Sequence, residues 1–340
     1  MSTQMLEEAL SAPEAIAHLL TQDAARYEAL GSAWRAEPPR GMLTLARGSS
    51  DHAAHYFAYL AMARLGRLVT SLPMSLLTLY QSQLDTPGLS SIAFSQSGRS
   101  PDLILPTEQL RRSGARTVAL VNVDDSPLAQ AAEHVLPLHA GPERSVAATK
   151  SYIAQLVAGA RLVAAWQGDP AFAHALQALP EALRAASRLD WSAALPVLQG
   201  ADRLFVIGRG LGLPVALEAA LKFKETCGIQ AEAFSGAEVK HGPMALVKNG
   251  YPLLVFAPRG PAQAGLLQLA DEMRGRGARV LLAAPVGTPG AELPLAPTAH
   301  ADLDPIALVQ SFYPMVEALA RARGRNPDAP PHLAKVTQTT

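Results

Sequence analysis

The feature that most constrains the fold of this chain is an internal duplication. A shift of 162 residues, the distance from Gly48 to Gly210, also places Gly98 on Gly260 and aligns the segments around these glycines. A fixed internal period of this length indicates two copies of one domain. The 340 residues are enough for two such domains, each with its own buried core.

Each copy alternates short apolar runs with longer helical patterns. The predicted strands are MLTLAR, RLVTSLP, SIAFSQ, TVALVNV and HVLPLHA in the first copy, and RLFVIGR, IQAEAF, PLLVFAP, RVLLAAP and a weaker run near Glu292 in the second. Apolar strands separated by helices indicate parallel sheets covered on both faces. We therefore predict an α/β protein made of two three-layer αβα domains, each built on a doubly wound parallel sheet.

The same patterns predict the boundaries of the domains. We expect two helices in residues 1–35, divided near Pro13, then a first domain at 36–170, a helical linker at 171–199 and a second domain at 200–325. Residues 326–340 have no core pattern and form a tail that is either disordered or docked. The main helices are expected at 51–65, 100–113, 214–227 and 261–274, and Pro106 should disturb the second of these.

Composition excludes several classes of protein. Lys and Arg number 29, as do Asp and Glu, and no basic stripe is present, so we expect no nucleic-acid partner. No apolar run reaches the roughly 18 residues of a membrane span, and the acidic N-terminus does not resemble a signal peptide. The single Cys227 excludes a disulfide within the chain. A cytoplasmic location is the expectation.

A loop rich in hydroxyl groups follows the third predicted strand. Ser95, Ser97 and Gly98 leave the strand, and Ser100 is placed to cap the next helix, which opens with a proline. Small donors, a flexible backbone and a helix N-terminus together favour an anion such as phosphate. The Gly48-Ser49-Ser50 junction falls on the same edge of the predicted sheet.

The same residues are also ordinary turn formers. The duplication argues against that simpler interpretation, because the second copy has lost the hydroxyl groups and kept the glycine. Ala257, Pro258 and Arg259 stand where the first copy has Ser95, Gln96 and Ser97. The difference between equivalent loops indicates a function for the first.

Groups suited to proton transfer cluster in the second copy. Lys222 and Glu225 are three residues apart on a predicted helix and share one face. Glu238, Lys240 and His241 follow in a loop flanked by glycine. These groups are suited to general acid–base chemistry on a sugar, and equally to a surface ion pair beside an incidental histidine. No metal site is expected, since His52 and His55 lack a third ligand.

Six segments together resemble the sugar isomerase (SIS) family, and specifically the isomerase half of glucosamine-6-phosphate synthase. They are ARGSSDHA, SQSGRSPD, ERSVAATKSYIAQL, GRGLGLPVALEAALKFKE, AEAFSGAEVKHGPMALV and HLAKV, in this order along the chain. The resemblance implies two tandem SIS domains, a phosphosugar substrate, no cofactor and no metal.

The resemblance also implies roles for individual residues. Glu225 would be the base that moves a proton between C1 and C2, with Lys222 beside it. His241 would open the sugar ring and, in a homodimer, enter the site from the neighbouring subunit. Lys335 lies on a tail that would close over the substrate. The phosphate would be held by Ser50, Ser95, Gln96, Ser97 and Ser100, and the pocket would be lined by Gly48, Ser49, Val146 and Ala334.

Departures from the synthase modify the expected reaction. Met1 is followed by Ser2 where the synthase has a cysteine nucleophile, and the 340 residues leave no room for its glutaminase domain. Arg99 and Ser100 also differ. We expect conversion of glucosamine 6-phosphate and water into fructose 6-phosphate and ammonia. The alternatives are a deglycase for 6-phosphorylated fructosamines such as fructoselysine 6-phosphate, and a non-catalytic phosphosugar sensor.

Overall fold

Each copy of the duplicated sequence forms a five-stranded parallel sheet in the computed structural model, which describes residues 2–335. The chain divides into two units. The first-sheet unit contains Glu14–Glu143, Lys150–Gln177 and residues 334–335. The second-sheet unit contains residues 2–13, together with Arg144–Thr149 and Ala178–Leu333.

The first sheet has the order β2-β1-β3-β4-β5 with every neighbouring pair parallel. Its strands are β1 (Gly41–Leu45), β2 (Val69–Ser71), β3 (Leu89–Ser95), β4 (Arg116–Val121) and β5 (His134–Pro137). In register, Leu45 at the end of β1 lies opposite Ala93 of β3. All but the first residue of β3 are buried, as expected for a central strand covered on both faces.

The second sheet has the order β10-β9-β8-β6-β7, again entirely parallel. Its strands are β6 (Arg203–Gly208), β7 (Gln230–Ser235), β8 (Pro252–Phe256), β9 (Arg279–Pro285) and β10 (Leu293–Leu295). Read from the β7 edge, this order is the same as that of the first sheet. All ten predicted strands and the predicted two-domain α/β fold are confirmed.

Helices connect the strands and cover both faces of each sheet. They are α1 (Gln4–Leu10), α2 (Ala12–Thr21), α3 (Ala24–Ala36), α4 (Ser49–Leu65), α5 (Ser75–Thr78), α6 (Pro101–Arg112), α7 (Pro127–Ala131), α8 (Lys150–Gln167), α9 (Pro170–Gln177), α10 (Leu179–Ala186), α11 (Leu195–Leu198), α12 (Leu213–Lys222), α13 (Gln263–Gly275) and α14 (Asp304–Ala322). Short 3-10 turns cover Ser192–Ala194, Gly210–Gly212, Glu238–Lys240, Pro243–Leu246 and Ala301–Leu303, and a π-helical turn covers Phe223–Cys227.

Helices α8 and α14 are the most buried helices of the first-sheet and second-sheet units, and each lies at the centre of its helical layer. In the first-sheet unit, α3 and α4 pack against α8, and in the second-sheet unit α1, α10 and α12 pack against α14. Aromatic contacts between helix and sheet link each layer to its sheet: Phe57 of α4 packs on Phe94 of β3, and Phe312 of α14 packs on Phe256 of β8.

The structure corrects the number of N-terminal helices and the expected effect of Pro106. Three helices are present where two were expected, although a division does occur near Pro13, since α1 ends at Leu10 and α2 begins at Ala12. Pro13 lies in the first turn of α2, where its missing N–H would have no partner in any case. The further break comes at Asp23, which has a left-handed φ of 52°. Helix α6 also continues through Pro106, because Leu103 and Leu110 keep its apolar face buried against the first sheet.

Candidate active site

The hydroxyl-rich loop lies where ligands bind in sheets of this topology. The chain leaves β1 toward β2 at one side and leaves β3 toward β4 at the other, so the carboxyl ends of β1 and β3 flank a crevice. Residues 48–50 follow β1 and residues 95–100 follow β3. The two junctions that the sequence placed on one sheet edge therefore meet at the switch point of the first sheet.

The loop after β3 is held by its own serine hydroxyls. The Ser95 Oγ accepts a hydrogen bond from the Gly98 N–H at 3.0 Å, and the Ser97 Oγ accepts one from the Arg99 N–H at 3.3 Å. Gly98 has φ 63°, and a Cβ at this position would clash with the side chain of Ser126. Glycine is therefore required here for both backbone conformation and space.

The end of this loop forms an open helix N-terminus. Ser100 caps α6 with extended backbone, and its carbonyl accepts from the N–H groups of Leu103 and Ile104 at 3.0 and 3.2 Å. Its hydroxyl makes no capping bond to the helix. The half-buried Ser100 and Ser97 hydroxyls and the first-turn N–H groups are therefore chemically suited to donate to an anion.

A residue that the sequence reasoning missed orients Ser50. Gln155 of α8 is buried, and its Nε2 donates to the Ser50 Oγ at 3.0 Å. Because the serine oxygen accepts this bond, its own O–H is directed elsewhere and can donate to a ligand. Gly48, Ser49 and Gln96 lie in the same two loops, with Ser49 and Gln96 half-buried and Gly48 exposed.

The equivalent loop of the second sheet has different contacts. A Cβ placed on Gly212 would meet the Pro258 Cγ at 3.6 Å, so the proline ring lies near the loop after β6. Arg259 donates from Nε and Nη2 to the two carboxylate oxygens of buried Asp304, each at 2.7 Å. The second copy therefore pairs Arg259 with a carboxylate of its own and lacks the serine hydroxyls of the first loop.

Lys222 is fully buried between two carboxylates in the second-sheet unit. Its Nζ lies 2.5 Å from the Glu225 Oε2 and 3.3 Å from the Glu218 Oε1, and the Tyr313 hydroxyl donates to Glu218 at 3.4 Å. Burial by itself lowers the pKa of Lys222, but the charges of Glu218 and then Glu225 outweigh it and raise that pKa above its usual value. Lys222 is held as an ammonium. Glu218, four residues before Lys222, was missed although its spacing signals the contact.

A change of helix type exposes the carboxylate of Glu225. The predicted helix at 214–227 ends as α-helix at Lys222, and Phe223–Cys227 form a π-helical turn. The side chain of Glu225 is 19% exposed, while those of Lys222 and Glu218 are completely buried. Single π turns inside helices are frequent at functional sites. The arrangement leaves Glu225 accessible to a substrate and backs it with a buried cation.

The other members of the predicted acid–base group are not joined to this cluster. Lys240 forms an ion pair with Glu272 at 2.6 Å, and Glu238 is exposed. The His241 side chain is exposed and makes no hydrogen bond or ion pair to any residue between 2 and 335. The structure therefore brings Lys222 and Glu225 together and leaves His241 facing outward.

Lys335 is fixed by a buried carboxylate within the first-sheet unit. Its Nζ donates to the Glu143 Oε2 at 3.0 Å, and the same carboxylate accepts from the Ser151 N–H and Oγ at 3.1 and 2.5 Å. Glu143 carried no predicted role. Ala334 is exposed. The predicted tail extends to 340, and its last five residues lie outside the described part of the chain.

Val146 lies on a segment held from both ends of the chain. Its N–H donates to the Asp328 carbonyl at 3.3 Å, and the Asp328 carboxylate accepts from the N–H groups of Gln4 and Met5 at 2.9 and 2.7 Å. Glu8 of α1 accepts from the N–H groups of Arg144 and Ser145. The part of the predicted tail around Asp328 is therefore docked.

Two general features bear on the site. No helix between residues 2 and 335 is both long and apolar enough to cross a membrane. In the same part of the chain, no three His, Cys, Asp or Glu side chains gather as they would around a metal ion.

Comparison with known proteins assigns the fold to a family. The SIS domain model matches residues 38–165 and 197–301. Glutamine–fructose-6-phosphate aminotransferase (isomerizing) from Aeropyrum pernix is 35% identical over 360 residues, covering 97% of this chain and 56% of that protein. The chain thus spans about half the length of the curated relatives it matches.

Solved structures show the same architecture over the whole chain. A protein from Silicibacter pomeroyi DSS-3, described as a candidate phosphosugar isomerase, is 43% identical with a TM-score of 0.91, covering 96% of this chain and all of that one. Glucosamine-6-phosphate deaminase from Thermotoga maritima is 22% identical with a TM-score of 0.80, covering 99% of this chain and 100% of that one. At 22% identity, the similarity to the Thermotoga maritima structure shows a shared fold alone.

Proposed function

The chain belongs to the SIS domain family, and from that premise we propose that it converts glucosamine 6-phosphate and water into fructose 6-phosphate and ammonia. The observation that carries the proposal is the partly exposed Glu225 carboxylate, which lies 2.5 Å from the fully buried Lys222 ammonium. Proton transfer between two sugar carbons requires a base to carry the proton and a positive charge to stabilise the negative charge that develops, and Glu225 and Lys222 can supply these two groups.

The phosphate of the substrate binds the loops at the switch point of the first sheet. Hydroxyl groups of Ser50, Ser97 and Ser100 donate to its oxygens, and the N-terminus of α6 adds a favourable dipole. Ser95 shapes the loop through its bond to the Gly98 N–H, and Gln96 lies between these donors. In this proposal the phosphate anchors the sugar, and the energy of that binding orients the reacting carbons.

The reaction proceeds by proton transfer. His241 opens the pyranose ring to the aldehyde form. Glu225 removes the proton on C2, and the resulting enolamine is protonated at C1, which leaves an imine at C2. Water adds to this imine, and ammonia departs to give the ketose. Lys222 offsets the negative charge that develops during the transfer, and Lys335 closes over the substrate with Val146 and Ala334 at the pocket wall.

Nothing beyond the phosphosugar and water is consumed in this direction. The only cysteine, Cys227, is buried, and its burial raises the pKa of the thiol to about 11. A thiol is nucleophilic as the thiolate, so Cys227 is poorly suited to attack glutamine.

An assay with purified protein tests the proposal. Glucosamine 6-phosphate is supplied, and ammonia and fructose 6-phosphate are measured for the wild type and for Glu225→Gln. We expect equal amounts of both products from the wild type and a loss of about 10²- to 10⁴-fold in kcat for the variant. Glu232→Gln, the same substitution at an exposed residue of β7, should leave the rate unchanged.

Other results would select the alternatives. Turnover of fructoselysine 6-phosphate without turnover of glucosamine 6-phosphate would replace the deaminase by a deglycase. Tight binding of phosphosugars with no turnover of either would make the protein a sensor.

A further inference from the structure

Arg47 bridges the two loops of the phosphate crevice. It follows β1 and directly precedes Gly48, and its Nε donates to the Asp102 Oδ2 at 2.7 Å. Asp102 is the second residue of α6, two positions after the Ser100 cap, and its side chain is only 3% exposed. The ion pair therefore joins the loop after β1 to the helix N-terminus after β3.

The guanidinium group of Arg47 retains unused donors. Its side chain is 54% exposed, and its terminal amino groups make no hydrogen bond to the part of the chain from 2 to 335. The planar fork of arginine suits phosphate oxygens, and a side chain already held by a carboxylate loses less conformational freedom on binding.

Asp102 puts a negative charge at the N-terminus of α6, where the phosphate is proposed to bind, so a cation is needed there to offset it. A carboxylate in the first turn of α6 stabilises the empty helix N-terminus but repels a phosphate that binds there. Arg47 offsets that repulsion and adds attraction. The loop's own cation, Arg99, is exposed, and its side chain has no partner that holds it in place among the described residues.

The second copy of the domain supports a specific role for this ion pair. Arg209 occupies the position equivalent to Arg47, but Ala264 stands where the first copy has Asp102. Arg209 is exposed and forms no ion pair within the described chain. The Arg–Asp bridge is thus present in the copy whose loop carries the serine hydroxyls and missing from the copy that has lost them.

We infer that Arg47 is a phosphate-binding residue, fixed by Asp102 so that its terminal amino groups meet the phosphate held by the serine loops. The inference rests on the proposed function in one respect, since it takes the ligand to be a phosphorylated sugar. It extends the set of binding residues beyond those that the motifs indicate.

Binding measurements test it independently of turnover. Fructose 6-phosphate and inorganic phosphate are titrated into the full-length protein by calorimetry. Arg47→Gln should weaken binding of fructose 6-phosphate about 10- to 100-fold, the usual value of a hydrogen bond to a charged group. Arg47→Lys should weaken binding less than Arg47→Gln, because lysine keeps the positive charge but lacks the planar, two-pronged guanidinium group. Arg209→Gln is the matched control and should bind like the wild type.

A double variant separates direct binding from simple neutralisation of Asp102. Asp102→Asn should not weaken binding of the phosphate, because it removes a repelling charge and keeps a side-chain oxygen that can accept the hydrogen bond from the Arg47 Nε and hold the arginine in place. If Arg47 contacts the phosphate, Arg47→Gln/Asp102→Asn will remain about as weak as Arg47→Gln. Recovery of wild-type affinity in the double variant would overturn the inference. The inference would also be overturned if Arg99→Gln weakened binding of fructose 6-phosphate and Arg47→Gln did not.

The two proposals fail in different ways. Turnover of glucosamine 6-phosphate with unchanged KM in Arg47→Gln would leave the deaminase standing and overturn the role of Arg47. If the protein turns over no amino sugar but Arg47→Gln weakens its binding of fructose 6-phosphate, the deaminase proposal falls and the role of Arg47 stands. A wild-type protein that binds neither ligand would contradict both. Matching thermal unfolding curves for the wild type, Arg47→Gln and the double variant establish that a loss of folding is not the cause of weakened binding.

Discussion

At the scale of the residue, Lys222 is the clearest case of a buried charge that neighbouring groups must stabilise. A lysine ammonium with no exposed surface carries a large desolvation cost, and only opposite charges in contact can offset it. Glu218 and Glu225 supply those charges, and Tyr313 hydrogen-bonds to Glu218. Removing the lysine would leave two carboxylates close together without their cation.

We predict that Lys222→Met lowers the free energy of unfolding by about 3–5 kcal/mol, the usual cost of breaking a buried ion pair. Lys240→Met is the matched control, since it removes the same charge from the exposed pair with Glu272, and it should cost no more than about 1 kcal/mol. Urea unfolding at pH 7 measures both. Equal losses in the two variants would show that the buried cluster contributes no special stability.

At the scale of the element, equivalent strand-to-helix loops differ in how tightly they pack. Gly98 after β3 and Gly260 after β8 both have positive φ, at 63° and 128°. A Cβ on Gly98 would clash with Ser126, whereas a Cβ on Gly260 would meet nothing within 4 Å. The first loop is held against α7, and the Leu128 N–H donates to the Gly98 carbonyl at 3.0 Å.

Gly98→Ala should therefore displace the phosphate loop and weaken binding of fructose 6-phosphate at least about 10-fold, while Gly260→Ala carries only backbone strain of about 1–2 kcal/mol. Calorimetric titration and thermal unfolding distinguish the two effects. Replacing Ser126 by glycine in the Gly98→Ala protein removes the clash and should restore part of the affinity. If Gly98→Ala binds like the wild type, the loop does not hold the phosphate.

At the scale of the whole molecule, the open question is where His241 acts. Its exposed ring has no partner between residues 2 and 335. We propose a symmetric homodimer in which His241 serves the site that contains Glu225 of the other subunit. In a two-fold dimer this exchange is reciprocal, so each site needs one group from each chain.

Mixing two inactive variants tests this arrangement. In a dimer of Glu225→Gln with His241→Ala, one of the two sites receives an intact glutamate and an intact histidine. Random subunit exchange in an equal mixture should therefore restore about a quarter of the wild-type activity. Each variant alone provides the baseline. No recovery after demonstrated subunit exchange would place both residues in sites of a single chain.

The fold could be predicted because its signals are local. Runs of apolar residues predicted β1 to β10, and the duplication predicted that both sheets would have the same design. The position of the hydroxyl-rich loop could also be predicted, because Ser100 before Pro101 and Asp102 marks the start of a helix after a strand. Proline effects were less predictable. Pro106 lies inside α6 since packing of Leu103 and Leu110 outweighs a lost hydrogen bond.

What the sequence by itself determined is the two αβα domains, the place of the hydroxyl-rich loop after β3 and the pairing of Lys222 with Glu225, all of which follow from neighbours along the chain. Tertiary structure decided the partners: Asp102 for Arg47, Gln155 for Ser50 and Glu143 for Lys335, across separations of 55, 105 and 192 residues. Such pairs depend on which strand ends lie side by side and which side chains lose their water. Packing of the whole chain sets both, and no spacing in the sequence records them.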